Sequence, residues 1–344
     1  MSLPPSGEIP QGAIRFNTDS QRLEFYAQGE WWIMSTDTPN LGRSTDSTPG
    51  ARLVFAGGIN PSLTDIIEYV NIASPGNAID FGNLSANRSE SASCSSRTRG
   101  IIGGGGTPAD VDIIEFITIA SIGNATDFGN LTQARVHPGG AGNETRGLFG
   151  GGLDNPTTND YDIIDYITIA STGNAVDFGN LTEARFLAGN ARSNPTRAAF
   201  CSGATPTYSS KMEFVNIATL GNAQEFGDVL SASTGYGMGS GNCASPVRAV
   251  LGGGSTGPSE VIQYFSLVTL GNATDFGNLT DARRGSGCGS SATRGIFAGG
   301  RDPNDSDIID YIEIATEGNA VDFGDLSAVR SFQPTGMSNA HGGL

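Results

Sequence analysis

Few residues of this chain could do chemistry, and their spacing limits what that chemistry could be. There are two histidines, His137 and His341, and four cysteines, Cys94, Cys201, Cys243 and Cys288. No Cys-x-x-Cys pair and no His-Cys cluster occurs, so a zinc site is not expected. The cysteines are too sparse for a disulfide framework and read as small buried hydrophobes on strands. Carboxylates recur as Asp-x-Asp at Asp110 and Asp112, Asp160 and Asp162, and Asp305 and Asp307, with Asp65 alone in the corresponding first place. Several hard oxygens in a turn suit Ca²⁺. The longer ligand pattern is missing, however, and Lys211 and Glu260 stand in the fourth and fifth places, so turn capping is the simpler role. No Ser-His-Asp arrangement is suggested. The expected catalytic, cofactor-binding and metal-binding residues are therefore none.

What positions these residues is a repeat. The segment 173–185, GNAVDFGNLTEAR, has five relatives. Its opening glycine falls at Gly76, Gly123, Gly173, Gly221, Gly271 and Gly318, with spacings of 47, 50, 48, 50 and 47. In the third copy, 145–152 is an apolar run ended by glycines and 162–170 (DIIDYITIA) alternates and is rich in β-branched residues. Residues 171–174 are a turn, 175–181 form a strand bent at Gly179, and 185–192 is a strand of small residues. Four short antiparallel strands in about 50 residues is the pattern of a propeller blade. No segment carries the i, i+3, i+4 spacing of helical repeats. The spaced Asn, Asp and Asn of each copy are expected to satisfy backbone groups between blades, with Phe filling the core. The arginine closing each unit is expected to pair with an Asp of the adjacent blade, Arg185 being the example. The array opens on the Gly-Gly strand at 52–58 and closes on a small-residue strand at 331–341, so the last strand is expected to join the first three in one shared sheet.

Before the repeats, residues 4–12 read as an extended arm, and 13–17, 22–26 and 31–34 as a β meander. Both tryptophans of the protein are here. Phe16, Phe25, Tyr26, Trp31 and Trp32 are the expected attachment residues, since three short strands are marginal alone and these aromatics need a surface. Residues 35–50 are rich in Ser, Thr, Pro, Gly and Asp and read as a linker. The expected organisation is an attachment module at 1–34, a linker at 35–50, and a repeat domain at 51–344.

The net charge of −16 and the lack of a basic stripe argue against nucleic acid. No apolar run approaches the ~20 residues of a membrane-spanning helix. The start lacks a basic n-region and an apolar h-region, so synthesis and first folding are expected in a cytosol.

The order of strands and glycines resembles the kelch repeat. The residues that carry the resemblance are Gly-Gly at 57–58, 103–104, 151–152, 252–253 and 299–300, then Tyr69, Phe116, Tyr166, Phe214, Tyr264 and Tyr311. Phe81, Phe128, Phe178, Phe226, Phe276 and Phe323 stand where kelch repeats usually carry Trp, and Arg88, Arg135, Arg185, Arg283 and Arg330 close the units. The fourth unit departs, with Ser202-Gly203 for the glycine pair and no arginine near Thr234. The resemblance implies an all-β, six-bladed propeller and says almost nothing of activity. Residues 12–32, with Ile14-Arg15-Phe16-Asn17, Leu23-Glu24-Phe25-Tyr26 and Gly29-x-Trp31, resemble a segment of bacteriophage virion proteins, tail fibres especially. That resemblance implies a non-enzymatic, virion-located appendage, docked to other virion proteins through residues 1–50, where it could also form a homo-oligomer. The propeller would face outward to a host receptor or glycan. A capsid decoration protein and a cellular kelch-type interaction propeller are the alternatives.

Overall fold

The computed structural model describes residues 9–17, 22–33, 51–187, 191–205, 207–230, 243–254, 259–331 and 334–344. The described chain is all-β, in antiparallel sheets, with no helix among the described residues. It divides into two compact units, Met1–Asp46 and Ser47–Leu344. The expected linker at 35–50 lies outside the described residues.

The first unit is a three-stranded meander of Ile14–Asn17, Arg22–Ala27 and Glu30–Ile33. Its registers place Ile14 opposite Phe25 and Phe25 opposite Trp32, one cross-strand row. Arg15 opposite Glu24 and Tyr26 opposite Trp31 belong to the other face.

In the second unit each repeat builds one sheet. In the third copy the order is Gly139–Gly142, Arg146–Gly150, Ile163–Thr168 and Val176–Asn180. The central strands are apolar and buried, as strands flanked on both sides must be. The fifth sheet has three strands, Arg248–Gly252, Ser259–Ser266 and Thr274–Arg283, with Ala244 bridged to Ala249. The small-residue segment at the end of each copy serves the sheet of the following copy: Ala191–Ser193 pairs with Arg197–Cys201. After the sixth copy that segment is Thr335–Ser338, and it pairs antiparallel with Arg52–Ala56, giving a sheet of Thr335–Ser338, Arg52–Ala56, Ile66–Asn71 and Ile79–Asn83.

The left-handed glycine pairs fall at Gly57-Gly58, Gly104-Gly105, Gly151-Gly152, Gly253-Gly254 and Gly299-Gly300, with Ser202-Gly203 in the fourth copy. The second and fifth pairs therefore sit one residue later than the sequence pattern placed them. Gly103 and Gly252 are ordinary strand residues whose missing side chains admit Phe149 and Phe297 of the next sheet.

The core lies between sheets. Leu148, Ile164 and Phe178 of the third sheet cluster with Phe200, Val215 and Ile217 of the fourth. Ile296, Ile309 and Phe323 of the sixth cluster with Leu53, Phe55 and Val70 of the first. The six repeat phenylalanines are 2–3% exposed. Each such burial contributes roughly 1.5–3 kcal/mol to the assembly.

Candidate functional site: the repeat junctions and the N-terminal face

Three kinds of contact join the sheets, two of them at all six junctions and the remaining one, a buried ion pair, at five. The first involves the outer strand. The Gly173 and Ala175 N–H groups of the third copy donate to the Phe128 and Asn130 carbonyls of the second. Asn174 Oδ1 accepts from the Asn130 N–H at 3.1 Å. The same bonds run from the first copy back to the sixth: Gly76 N–H to Phe323 O at 2.8 Å, Ala78 N–H to Asp325 O at 2.8 Å, and Asp325 N–H to Asn77 Oδ1 at 3.2 Å. An outer strand that would otherwise offer a free edge is thus capped by its neighbour. Gly179 is obligatory here. Its φ is +149°, and a Cβ would sit 2.5 Å from the Gly221 carbonyl oxygen of the next turn.

The second contact is a buried ion pair. Arg185 reaches Glu213 at 2.7 Å, Arg135 reaches Asp165 at 3.0 Å, Arg283 reaches Asp310 at 2.8 Å, Arg330 reaches Glu68 at 2.7 Å, and Arg88 pairs with Glu115. All ten side chains are at most 2% exposed. Burial pulls each of these arginines below its ordinary pKa, and the acid partner pushes it back up. The acid stands on the strand that carries the repeat aromatic, one residue before it, and for Arg185 it is Glu213 rather than an Asp. The acid also accepts a backbone N–H of the preceding copy, as Glu213 does from Thr182. The fourth copy has no arginine at this place, and the fifth copy carries Gln263 where the others carry an acid. Gln263 is buried and its Oε1 accepts from Leu230 N–H at 2.8 Å, so the amide keeps the acceptor and drops the charge.

The third contact was not read from the sequence. Arg52, Arg99, Arg146, Arg197, Arg248 and Arg294 begin one strand of every sheet. Each stacks on the aromatic of its own sheet at 4.4–5.0 Å. Each also donates to a carbonyl of the next sheet: Arg146 to Ile217 at 2.8 Å, and Arg294 of the sixth sheet to Ile72 of the first at 3.0 Å. Their recurrence before every apolar run was the available signal. Eleven arginines are thus bound up at junctions, so few of the chain's 19 cationic side chains are left for the surface.

The inner strands pack on one another. Ser93 Oγ donates to Gly336 O at 2.7 Å, and Ser193 Oγ donates to Gly142 O at 2.6 Å. The residues 339–344 then brace several sheets. Asn339 Oδ1 accepts from Arg52 N–H at 2.9 Å, His341 Nε2 lies 3.0 Å from Ser95 O, and Gly342 N–H donates to Ala244 O at 2.8 Å. Gly343 N–H donates to His341 Nδ1 at 3.0 Å, so Nε2 carries the proton and donates to Ser95. Burial pushes the His341 pKa down to about 4. The other histidine, His137, faces Glu90 at 3.5 Å and Phe186.

All four cysteines are buried free thiols, pushed up by burial, Cys201 to about 12, which makes them poor nucleophiles. The acidic loops do not converge: among the described residues no group of three or more His, Cys, Asp or Glu could hold a metal ion. Asp110 instead accepts from the Asn155 N–H at 2.7 Å. The acids Asp80, Asp127, Asp177, Glu225, Asp275 and Asp322 were expected to satisfy backbone groups. They point to solvent at the strand bulge while the adjoining Phe turns inward. A cleft of about 520 Å³ opens at the fourth copy, lined by Arg197, Phe214, Asn216, Leu220, Asn222 and Gln224 among others.

The five expected attachment residues fall into two groups. Tyr26 is 4% exposed and packs on Trp31 at 5.3 Å, with the Arg15 guanidinium 4.1 Å from the Trp31 ring centroid and paired to Glu24 at 2.7 Å. Trp32 is 49% exposed and Phe25 half-buried in the row that Ile14, 64% exposed, completes. The side chain of Phe16 lies outside the described residues. No family model and no curated protein matches the chain.

Proposed function

We propose that the six sheets are the blades of a closed, kelch-like β-propeller, and that the protein is a non-enzymatic virion surface component. In this reading residues 1–46 dock to the particle and the propeller is displayed toward a host-surface receptor or glycan. The observation that carries it is the equivalence of the junctions. The outer-strand bonds and the stacked arginines that link consecutive repeats recur between the sixth and the first, and eleven arginines and five buried acids of the repeats are committed to that assembly. A molecule so organised presents a repetitive, acidic surface, and the described residues bring together no asymmetric constellation for catalysis. The aromatic row on the first unit supplies the attachment side of the reading. The cleft at the fourth copy, where Arg197 covers the Phe214 ring and Asn216, Asn222 and Gln224 line the wall, offers a sugar hydrogen-bonding partners.

Averaged electron images of the isolated protein test the architecture: six lobes around an axis are expected, and an open arc or another lobe number contradicts it. Assembled particles carrying labelled protein test the role. External label that is lost when the chain starts at Ser47 is the expected result. A shortened chain that still incorporates would put attachment on the repeats and overturn the division of roles.

A further inference from the structure

We infer that the cleft of the fourth copy is a site for a sugar carboxylate, gripped by the Nε and Nη2 edge of Arg197. The inference rests on the reading of the repeats as the displayed, receptor-facing part, and it names the ligand class of that part.

The sixth copy shows what an arginine at this place does with that edge. Arg294 spends Nη1 on the Ile72 and Ala73 carbonyls of the next sheet, at 3.0 and 3.2 Å. Its Nε and Nη2 both donate to Glu313 Oε1, at 3.0 and 2.8 Å. Glu313 is the residue directly opposite Arg294 on the neighbouring strand. Arg197 is held in the same way. Its Nη1 donates to the Leu267 and Val268 carbonyls at 3.3 and 3.0 Å, and its guanidinium lies 4.9 Å from the Phe214 ring centroid. The residue opposite is Asn216, which brings no carboxylate. Among the described residues nothing accepts from Arg197 Nε or Nη2. In the fifth copy the arginine again has an internal acid nearby, Glu317 at 3.7 Å from Arg248. The first three copies have Asn71, Thr118 and Thr168 opposite the arginine. The fourth differs from them in its wall: Gln224 stands where the first and third carry Ile79 and Val176 and the second Thr126.

The rest of the lining suits an anion that also carries hydroxyls. Asn216 Oδ1 accepts from the Ala218 N–H and Asn222 Oδ1 from the Asn180 N–H, both at 3.1 Å, so each amide has its NH₂ left to offer. With Arg197 and Gln224 added, the cleft is rich in donors, which a ligand must meet with acceptors. Arg197 is the only charged residue among the described residues that line it. The edge of a guanidinium takes a carboxylate in a two-pronged, charge-assisted fit. A volume of about 520 Å³ falls within the ~300–1,000 Å³ of small-molecule sites. A long acidic peptide would run out of the cleft onto a chain of net charge −16, so a compact sugar acid is favoured over it.

Saturation-transfer NMR of the full chain with glucuronate, glucose and acetate tests the site. Glucuronate is expected to bind with a Kd on the order of 1 mM, and glucose and acetate at least ~10-fold more weakly. Asn216→Glu copies the sixth copy and hands Arg197 an internal carboxylate. It should weaken glucuronate binding at least ~10-fold while the melting temperature does not fall. Thr168→Glu, the same change in the third copy, should leave glucuronate binding as it was. Glucose or acetate binding as tightly as glucuronate, no binding of glucuronate, or binding that survives Asn216→Glu overturns the inference. An oligoglutamate peptide that binds more tightly than glucuronate overturns it too, and assigns the cleft to a protein partner. Labelled protein on the outside of particles would in each of these cases leave the display role standing.

Discussion

The guanidinium of Arg330 lies 2.7 Å from the carboxylate of Glu68, with both side chains fully buried. One belongs to the sixth repeat and the other to the first, and their geometry repeats that of Arg185 and Glu213 within the chain. Removing one partner strands a buried charge. Arg330→Met is expected to lower unfolding free energy by about 3–5 kcal/mol. Adding Glu68→Gln should recover most of that loss, because Met with Gln leaves no charge and Gln can still accept from the Ser327 N–H, as Gln263 does from Leu230. Urea denaturation of the single and double variants decides it; a double variant no more stable than the single one would refute the pairing.

The fifth repeat offers the converse. Gln263→Glu introduces a buried carboxylate at the junction for which the fourth copy's sequence supplies no matching arginine, and a loss of a few kcal/mol is expected at neutral pH. The loss should shrink on acidification, since protonation removes the charge. A variant as stable as the parent at pH 7 would mean that this junction already supplies a cation.

The glycines of the outer strand and of the turn give a controlled pair. Gly173 and Gly179 have φ of +156° and +149°, so alanine strains the backbone at both. Around Gly173 there is open space, while at Gly179 a Cβ would meet the Gly221 carbonyl at 2.5 Å. Gly179→Ala should cost clearly more than Gly173→Ala, by roughly 1–3 kcal/mol. Equal melting temperatures would show that the neighbouring turn does not sit against the strand.

His341 gives the fold a pH dependence. Its folded pKa of about 4 lies below the unfolded value of 6.5. Between these two pH values the unfolded chain holds a proton that the folded chain does not, so stability falls as pH drops through that window and is flat with respect to this group above it. The full difference amounts to ~3 kcal/mol at most. His341→Asn should flatten the pH 4–6.5 limb of the stability profile, and an unchanged limb would assign that dependence to other groups.

The repeat, its strands, the inward phenylalanines and the use of the terminal strand were legible because each follows from local pattern, period 2 and turn residues. The arginine-to-acid pairing was legible as well, since an arginine recurring in five of six copies of an acidic protein demands a partner. Which acid it meets was not: Glu213 lies 28 residues beyond Arg185, and only the packing of sheets brings them together. The stacked arginines were missed because Arg146 looks like an ordinary strand-flanking charge until Tyr166 is placed beneath it. Trp31 and Trp32 are neighbours in sequence and fall on opposite faces, a consequence of strand pleating that also separates their roles. His341 carried no signal at all, because its partner, the Ser95 carbonyl, is backbone.

Closure of the repeats into a ring is the central claim, and hydrogen exchange of the full chain tests it most directly. The Gly76 and Ala78 amides bond to Phe323 and Asp325, as Gly173 and Ala175 bond to Phe128 and Asn130. In a closed ring the first pair exchanges as slowly as the second, because no repeat is terminal. In an open array the end repeats fray, and Gly76 and Ala78 would exchange orders of magnitude faster than Gly173 and Ala175, which would contradict the account.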